Sequence, residues 1–195
     1  MKIAVFASGS GTNAEAIIQA SKKQLLHAEV ALIVTDNPKA KVVARAKQHG
    51  IPMFTFDPKS YETKADFEQE IVTELNSQGV SFVVLAGYMR LIGATLLQAY
   101  EGRIVNIHPS LLPSFPGLDA IGQAFKAKVK ITGVTIHYVD AGMDTGQIIA
   151  QEAVRVEADD TVDSLQQKVQ AVEHKLYPET LQAIITEHCM ERLGK

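Results

Sequence analysis

Uninterrupted apolar runs alternate with amphipathic stretches along the first half of the chain. Residues 3–7 (Ile-Ala-Val-Phe-Ala), 29–35 (Glu-Val-Ala-Leu-Ile-Val-Thr), 52–56 (Pro-Met-Phe-Thr-Phe), 82–86 (Phe-Val-Val-Leu-Ala) and 104–107 (Ile-Val-Asn-Ile) read as strands. They do not alternate apolar with polar, the mark of strands covered on both faces. Between them lie helix patterns: residues 13–20 with Asn13 at the N-cap, 41–48 closed by Gly50, 64–76, and a short one at 95–100. In the third, Phe67, Ile71, Val72 and Leu75 recur at the spacing of one buried helical face. Strand–helix alternation of this kind predicts βαβ units, a mostly parallel sheet and helices on both faces.

The pattern changes after a proline-rich stretch at residues 109–116. Residues 131–139 alternate more, and 147–155 follow after a Gly/Asp turn, which predicts an antiparallel pair at the sheet edge. A long helix over 161–188 closes the chain, with Val162, Leu165, Val169, Val172 and Leu176 along one face. Pro178 inside it is predicted to kink the helix or split it in two. The expected fold class is thus α/β: a doubly wound, mostly parallel sheet with an antiparallel C-terminal edge and a long C-terminal helix.

At 195 residues the chain buries a sizeable core in one domain without disulfide help. A composition of 46% hydrophobic and 21% charged residues marks a globular protein rather than a disordered one. The net charge of -3 gives no broad basic footprint, so no nucleic-acid partner is expected. The first apolar run is too short for a signal peptide or a membrane span. A single cysteine, Cys189, rules out internal disulfides and cysteine-based zinc clusters, and fits a reducing, cytoplasmic setting.

Three stretches carry candidate chemistry. Ser8-Gly-Ser-Gly-Thr-Asn13 joins the first strand to the first helix, where glycines and a helix N-terminus can cradle an anion. It lacks the lysine of the nucleotide-binding P-loop and the third glycine of the dinucleotide fingerprint. A plain tight turn would use the same residues; the position after the first parallel strand favours binding. In Asn106-Ile-His-Pro-Ser-Leu-Leu-Pro113, Asn106 and His108 are two apart on a strand and so share a face, at the end where open α/β sheets bind ligands. In Asp140-Ala-Gly-Met-Asp-Thr-Gly146 the residues suit a turn, yet an aspartate facing a histidine can orient its ring and hold it charged. Asp144 is the better candidate, with Gly142 and Gly146 expected to give its backbone freedom to project inward. His137 reads as structural, and His27, His49, His174 and His188 have no metal-ligand spacing.

Together with Leu85-Ala-Gly-Tyr-Met-Arg-Leu-Ile92, these stretches make nearly the whole chain resemble the glycinamide ribonucleotide formyltransferases, within the folate-dependent formyltransferase superfamily. The resemblance implies the formyltransferase fold and transfer of formyl from 10-formyltetrahydrofolate to glycinamide ribonucleotide in de novo purine synthesis, with no metal. It implies a single domain over 1–195, with a Rossmann-like phosphate-binding half (1–100) and a catalytic, folate-binding half (101–195). By position, Gly11, Thr12 and Asn13 would hold the 5′-phosphate and Glu173 the ribose. Lys64, Met89, Arg90, Leu91, Ile92, Asn106, Val139, Asp140 and Asp144 would line the folate site. Asn106, His108 and Asp144 would be the catalytic set. A monomer or homodimer acting on small molecules, without membrane or nucleic acid, is implied.

Two positions depart from the resemblance. Asp119 stands where the family usually has histidine, and Lys64 where some relatives have an arginine that can grip a carboxylate by its fork. Asp119 is expected to tune the site without carrying chemistry. A formyltetrahydrofolate hydrolase or a methionyl-tRNA formyltransferase would share the Asn106, His108 and Asp144 constellation. The first normally adds an N-terminal domain and the second a C-terminal nucleic-acid module, for which this length leaves no room. A dehydrogenase using the first loop would have no need of Asn106.

Overall fold

The computed structural model describes residues 1–193. Seven strands, β1 (Lys2–Phe6), β2 (Glu29–Thr35), β3 (Met53–Thr55), β4 (Phe82–Leu85), β5 (Ile104–His108), β6 (Ile131–Tyr138) and β7 (Ile148–Arg155), form one sheet. Their spatial order is β3-β2-β1-β4-β5-β6-β7. All pairings from β3 to β5 are parallel; β5–β6 and β6–β7 are antiparallel, as the alternating pattern predicts.

The helices are α1 (Thr12–Lys22), α2 (Lys41–His49), α3 (Lys64–Ser77), α4 (Ala94–Ala99), α5 (Ala120–Lys126) and α6 (Val162–Leu193), with a 3₁₀ turn at Pro58–Ser60. Pleating sorts β1 between two cores. Ile3 and Val5 join Ile17 and Ile18 of α1, Val42 of α2 and Leu165, Val169 and Leu181 of α6. Ala4 and Phe6 face the other way, into Phe67, Ile71 and Leu75 of α3 and Leu96 of α4. A doubly covered central strand therefore has no polar face to show, which is why its sequence is uninterrupted.

Three expectations need correction. Asn13 is not the N-cap of α1: Gly11 is, in the left-handed region at φ 68°. A Cβ at Gly11 would sit 2.8 Å from Val42 Cβ, so the close approach of α2 also demands glycine. Pro178 does not split the last helix, which runs unbroken from Val162 to Leu193. Buried Tyr177 and Leu181 fix the helix on either side of the proline, and this packing outweighs a cost of about 3 kcal/mol. Finally, α5 appears where no helix is predicted. It is a short segment with a glycine inside, and Asp119 Oδ1 caps it by accepting from Gly122 N at 3.2 Å.

Two features tie the helices to the sheet and its loops. Tyr177 of α6, fully buried, donates its hydroxyl to Leu85 O at 2.8 Å and Val105 O at 3.2 Å. Glu68 of α3, also buried, accepts from Gly93 N at 2.6 Å and Leu96 N at 3.3 Å, which secures the loop leading into α4. Among the described residues no helix is long and apolar enough to cross a membrane.

Candidate active site

Chain direction reverses its lateral progress at β1, with β2 on one side and β4 on the other. Loops leaving the C-terminal ends of such strands splay apart and open a crevice. The loops after β1 and β4 are stitched there: Ser8 N donates to Gly87 O at 3.0 Å, and Met89 N to Ser8 Oγ at 2.9 Å. Val42 N reaches Gly9 O at 3.2 Å and Arg45 Nε reaches Ser10 O at 2.9 Å, so the glycine loop is pinned from α2.

A cavity of about 560 Å³ opens from this crevice along the ends of β4, β5 and β6. At one end lie Gly11, Thr12 and Asn13, at the N-terminus of α1. Asn13 Nδ2 donates to Glu173 Oε2 of α6 at 3.1 Å, while Asn13 Oδ1 is buried without a partner. Burial pushes the Glu173 carboxyl up to about 6, against the pull of the Asn13 hydrogen bond.

At the other end four polar side chains converge. Asn106 and His137 face each other across β5 and β6, with Asn106 Nδ2 3.2 Å from His137 Nε2. Asp144 places Oδ2 3.4 Å from His108 Nδ1 and Oδ1 3.7 Å from His137 Nε2. Gly117 N donates to Asp144 Oδ2 at 2.7 Å. Burial alone would raise the Asp144 pKa. The two imidazole rings facing it, His137 and His108, and the Gly117 N–H hydrogen bond outweigh it, and hold the carboxyl below its ordinary value.

His108 Nε2 lies 2.9 Å from the Phe115 carbonyl, which can only accept. Both ring nitrogens thus face acceptors, Phe115 O and the Asp144 carboxylate, and the ring satisfies both when each nitrogen carries hydrogen. Nδ1 is the nitrogen on the Asp144 side. His137, by contrast, meets the Tyr138 carbonyl with Nδ1 at 2.7 Å and turns Nε2 towards Asn106 and Asp144.

The turn before β7 explains how Asp144 gets there, and differs from expectation. Asp144 itself adopts the left-handed conformation, φ 56°, rather than its flanking glycines. Gly142 and Gly146 serve close packing instead: a Cβ would collide with the Thr145 side chain at one and with Tyr138 O at the other. Asp140 Oδ1 ties the turn by accepting from Gly142 N at 3.0 Å and Thr145 Oγ1 at 2.7 Å.

A profile described as formyl transferase matches residues 1–181. The chain belongs to the formyl transferase family. It is 55% identical to the phosphoribosylglycinamide formyltransferase of Bacillus subtilis (strain 168), over 94% of both chains. It is 37% identical to the human trifunctional purine biosynthetic protein adenosine-3, over 94% of this chain and 18% of that one. The crystal structure of phosphoribosylglycinamide formyltransferase from Bacillus halodurans superposes with a TM-score of 0.94 at 63% identity, covering 96% of this chain and 97% of that one. Glycinamide ribonucleotide transformylase 1 from Geobacillus kaustophilus gives 0.92 at 56% identity, covering 94% and 97%.

In this formyl transferase the cavity gathers every site residue expected from sequence except Lys64. Met89, Arg90, Leu91 and Ile92 form one wall, Val139 and Asp140 part of another, and Glu173 closes the glycine-loop end. Arg90 is anchored through Nε to Asp36 Oδ2 at 2.7 Å. Lys64, the first residue of α3, is exposed outside the lining, its stem running beside Gly93. Asp119 lies on the cavity rim, exposed, with its carboxylate engaged as the α5 cap. Sequence reasoning dismissed His137, and it named neither Gly117 N nor Phe115 O. His137 is the cross-strand partner of Asn106, but a register set across a long irregular connection leaves no local signal. Among the described residues no group of three or more His, Cys, Asp or Glu is arranged to hold a metal ion.

Proposed function

We propose that the chain transfers the formyl group of 10-formyltetrahydrofolate to the amine of glycinamide ribonucleotide, in purine biosynthesis. The observation that carries this is the convergence of Asn106, His108 and Asp144 at one end of a cavity whose other end is a glycine loop beside a buried carboxylate. The names of its relatives, a phosphoribosylglycinamide formyltransferase and a purine biosynthetic protein among them, support the same reading.

Gly11, Thr12 and Asn13 present the N-terminus of α1 to the 5′-phosphate, where backbone N–H groups and the helix dipole favour negative charge. Glu173, once ionised, accepts from ribose hydroxyls. Met89, Arg90, Leu91, Ile92, Val139 and Asp140 hold the folate, with Lys64 beside Gly93 reaching its tail. Both halves of the chain, 1–100 and 101–195, contribute to each substrate site, and Asn13 of the first bonds Glu173 of the second at the ribonucleotide end.

The amine nitrogen attacks the formyl carbon, and the carbonyl electron pair moves onto oxygen. Asn106 Nδ2 donates to that oxyanion, and the His108 ring, whose Nδ1 edge lies on the Asp144 side of the cavity, stabilises its charge. Phe115 O holds the far side of the imidazole, so the ring is aimed before the reaction begins. Asp144, kept ionised, takes a proton from the attacking amine through water. As the tetrahedral species collapses, the bond to the folate nitrogen breaks and that nitrogen receives, through water, the proton Asp144 took up, leaving N-formylated ribonucleotide, tetrahydrofolate and an ionised Asp144. We place this reaction in the cytoplasm, with two small-molecule substrates and no nucleic-acid or membrane partner, in a monomer or homodimer.

An assay of purified protein with both substrates tests this. Formyl transfer is expected, and Asn106→Ala or His108→Ala should each lower turnover by about 10²–10³-fold with the fold intact. Release of free formate without transfer would make the enzyme a hydrolase, and full activity in both variants would remove the catalytic assignment.

A further inference from the structure

The segment from Phe115 to Asp119 contributes no side chain to catalysis, yet it touches two of the three catalytic groups. Phe115 O meets His108 Nε2, and Gly117 N donates to Asp144. Its backbone is costly: Phe115 at φ 56°, Gly117 at 79° and Asp119 at 54° are all left-handed, and two of the three are not glycine. Such a conformation persists only where surrounding contacts over-determine it. Ser110 supplies one side of the restraint, donating Oγ to Ser114 O at 2.5 Å with Phe115 O at 3.4 Å. A Cβ at Gly117 would meet Met143 Sδ at 3.0 Å, so the turn also rests closely on the Asp144 loop.

The other side is held by one residue. Gln123, on the first turns of α5, donates Nε2 to Leu118 O at 2.7 Å and to Pro116 O at 3.3 Å. Both side-chain amide hydrogens are thereby spent on the carbonyls that flank Gly117. Fixing those two carbonyls fixes the peptide planes between them, and so the direction in which Gly117 N–H points. Gln123 is itself placed by the Asp119 cap and by its own N–H to Asp119 O at 2.8 Å. We infer that Gln123 is a positioning residue for formyl transfer: it clamps the 116–118 turn so that Gly117 N–H stays on Asp144 and Phe115 O stays behind His108.

This rests on the reading of His108 and Asp144 as catalytic. Gln123 is solvent-exposed, so water replaces part of what is lost when its amide is removed. Gln123→Met keeps the side-chain length and removes both N–H donors. Its kcat is expected to fall about three- to tenfold, with the KM for the ribonucleotide unchanged, because the glycine loop is at the far end of the cavity. The deciding readout is the titration of the Asp144 carboxyl, followed by NMR in ¹³C-aspartate-labelled protein and assigned with Asp144→Asn. Losing the Gly117 hydrogen bond removes a cause of the depressed pKa, so the Asp144 midpoint should move up in folded Gln123→Met. An unmoved midpoint overturns the inference whatever happens to the rate. Wild-type turnover in Asp144→Asn would instead overturn the catalytic reading, and the titration would still decide whether Gln123 acts on Asp144.

Discussion

The glycine loop and the Asn106–His108–Asp144 cluster bound the same cavity but are built differently. The loop lies within six consecutive residues, 8–13, and offers mainly backbone groups, oriented by one left-handed glycine and by α2 beneath it. The cluster draws on β5, β6, the turn before β7 and the segment 115–118, and offers mainly side chains. A phosphate is bound in its ground state and needs only fixed N–H dipoles. An oxyanion that exists transiently needs donors aimed at a point in space, and that takes several independent restraints. Damage to the first region should therefore appear in substrate binding and folding, and damage to the second in turnover.

The sharpest contrast comes from Asp144→Asn, which keeps the shape and removes the charge between His108 and His137. Turnover should fall by about 10²-fold or more while ribonucleotide affinity stays put; equal losses in kcat and affinity would erase the division between the regions. Gly11→Ala should do the reverse. The left-handed backbone and the contact with Val42 make it destabilising by about 2–4 kcal/mol, read as a lower denaturation midpoint. Its surviving folded fraction should show a raised KM for the ribonucleotide with kcat nearly unchanged.

The smallest effect is a pH dependence. Glu173 has a raised pKa in the folded chain, about 6, so the native state holds its proton longer than the unfolded one. Its contribution to stability is therefore present below the unfolded value and is lost as pH rises through about 6. In the ribose contact proposed for Glu173 the ionised form is the acceptor, so the KM for the ribonucleotide should fall over the same window. Glu173→Gln should flatten both trends; a KM that drops across pH 6 in that variant as well would assign the titration to another group.

How legible each region was follows the same division. The strands β1, β2, β4 and β5 announced themselves because burial on both faces leaves little room for polar residues, while β3 is a half-exposed edge strand; Gly50 marked the end of α2 by the left-handed turn it makes there, φ 67°. The Ser8–Asn13 loop was readable as a contiguous motif, although its cap is Gly11 and Asn13 is turned to Glu173, more than a hundred residues away. Asn106 and His108 were readable as a pair because a strand repeats every two residues. Beyond that, sequence carried little. His137 faces Asn106 only through the β5–β6 register, α5 is too short and glycine-interrupted to show a helical period, and Gly117 N and Phe115 O act through backbone atoms common to every residue. Asp144 was readable as a candidate from its Gly/Asp loop, whereas Glu173 was reached only through resemblance to a known family.

Tyr177 and Glu173 lie one turn apart on α6, the first bonding Leu85 of β4 and Val105 of β5 and the second closing the glycine-loop end of the cavity. That helix follows every strand in the chain. During synthesis the glycine loop, β5 and the Met89–Ile92 wall of the cavity all leave the ribosome before the segment that joins them. The nascent chain therefore carries Asn106, His108 and Asp144 before the helix that completes their cavity has been made.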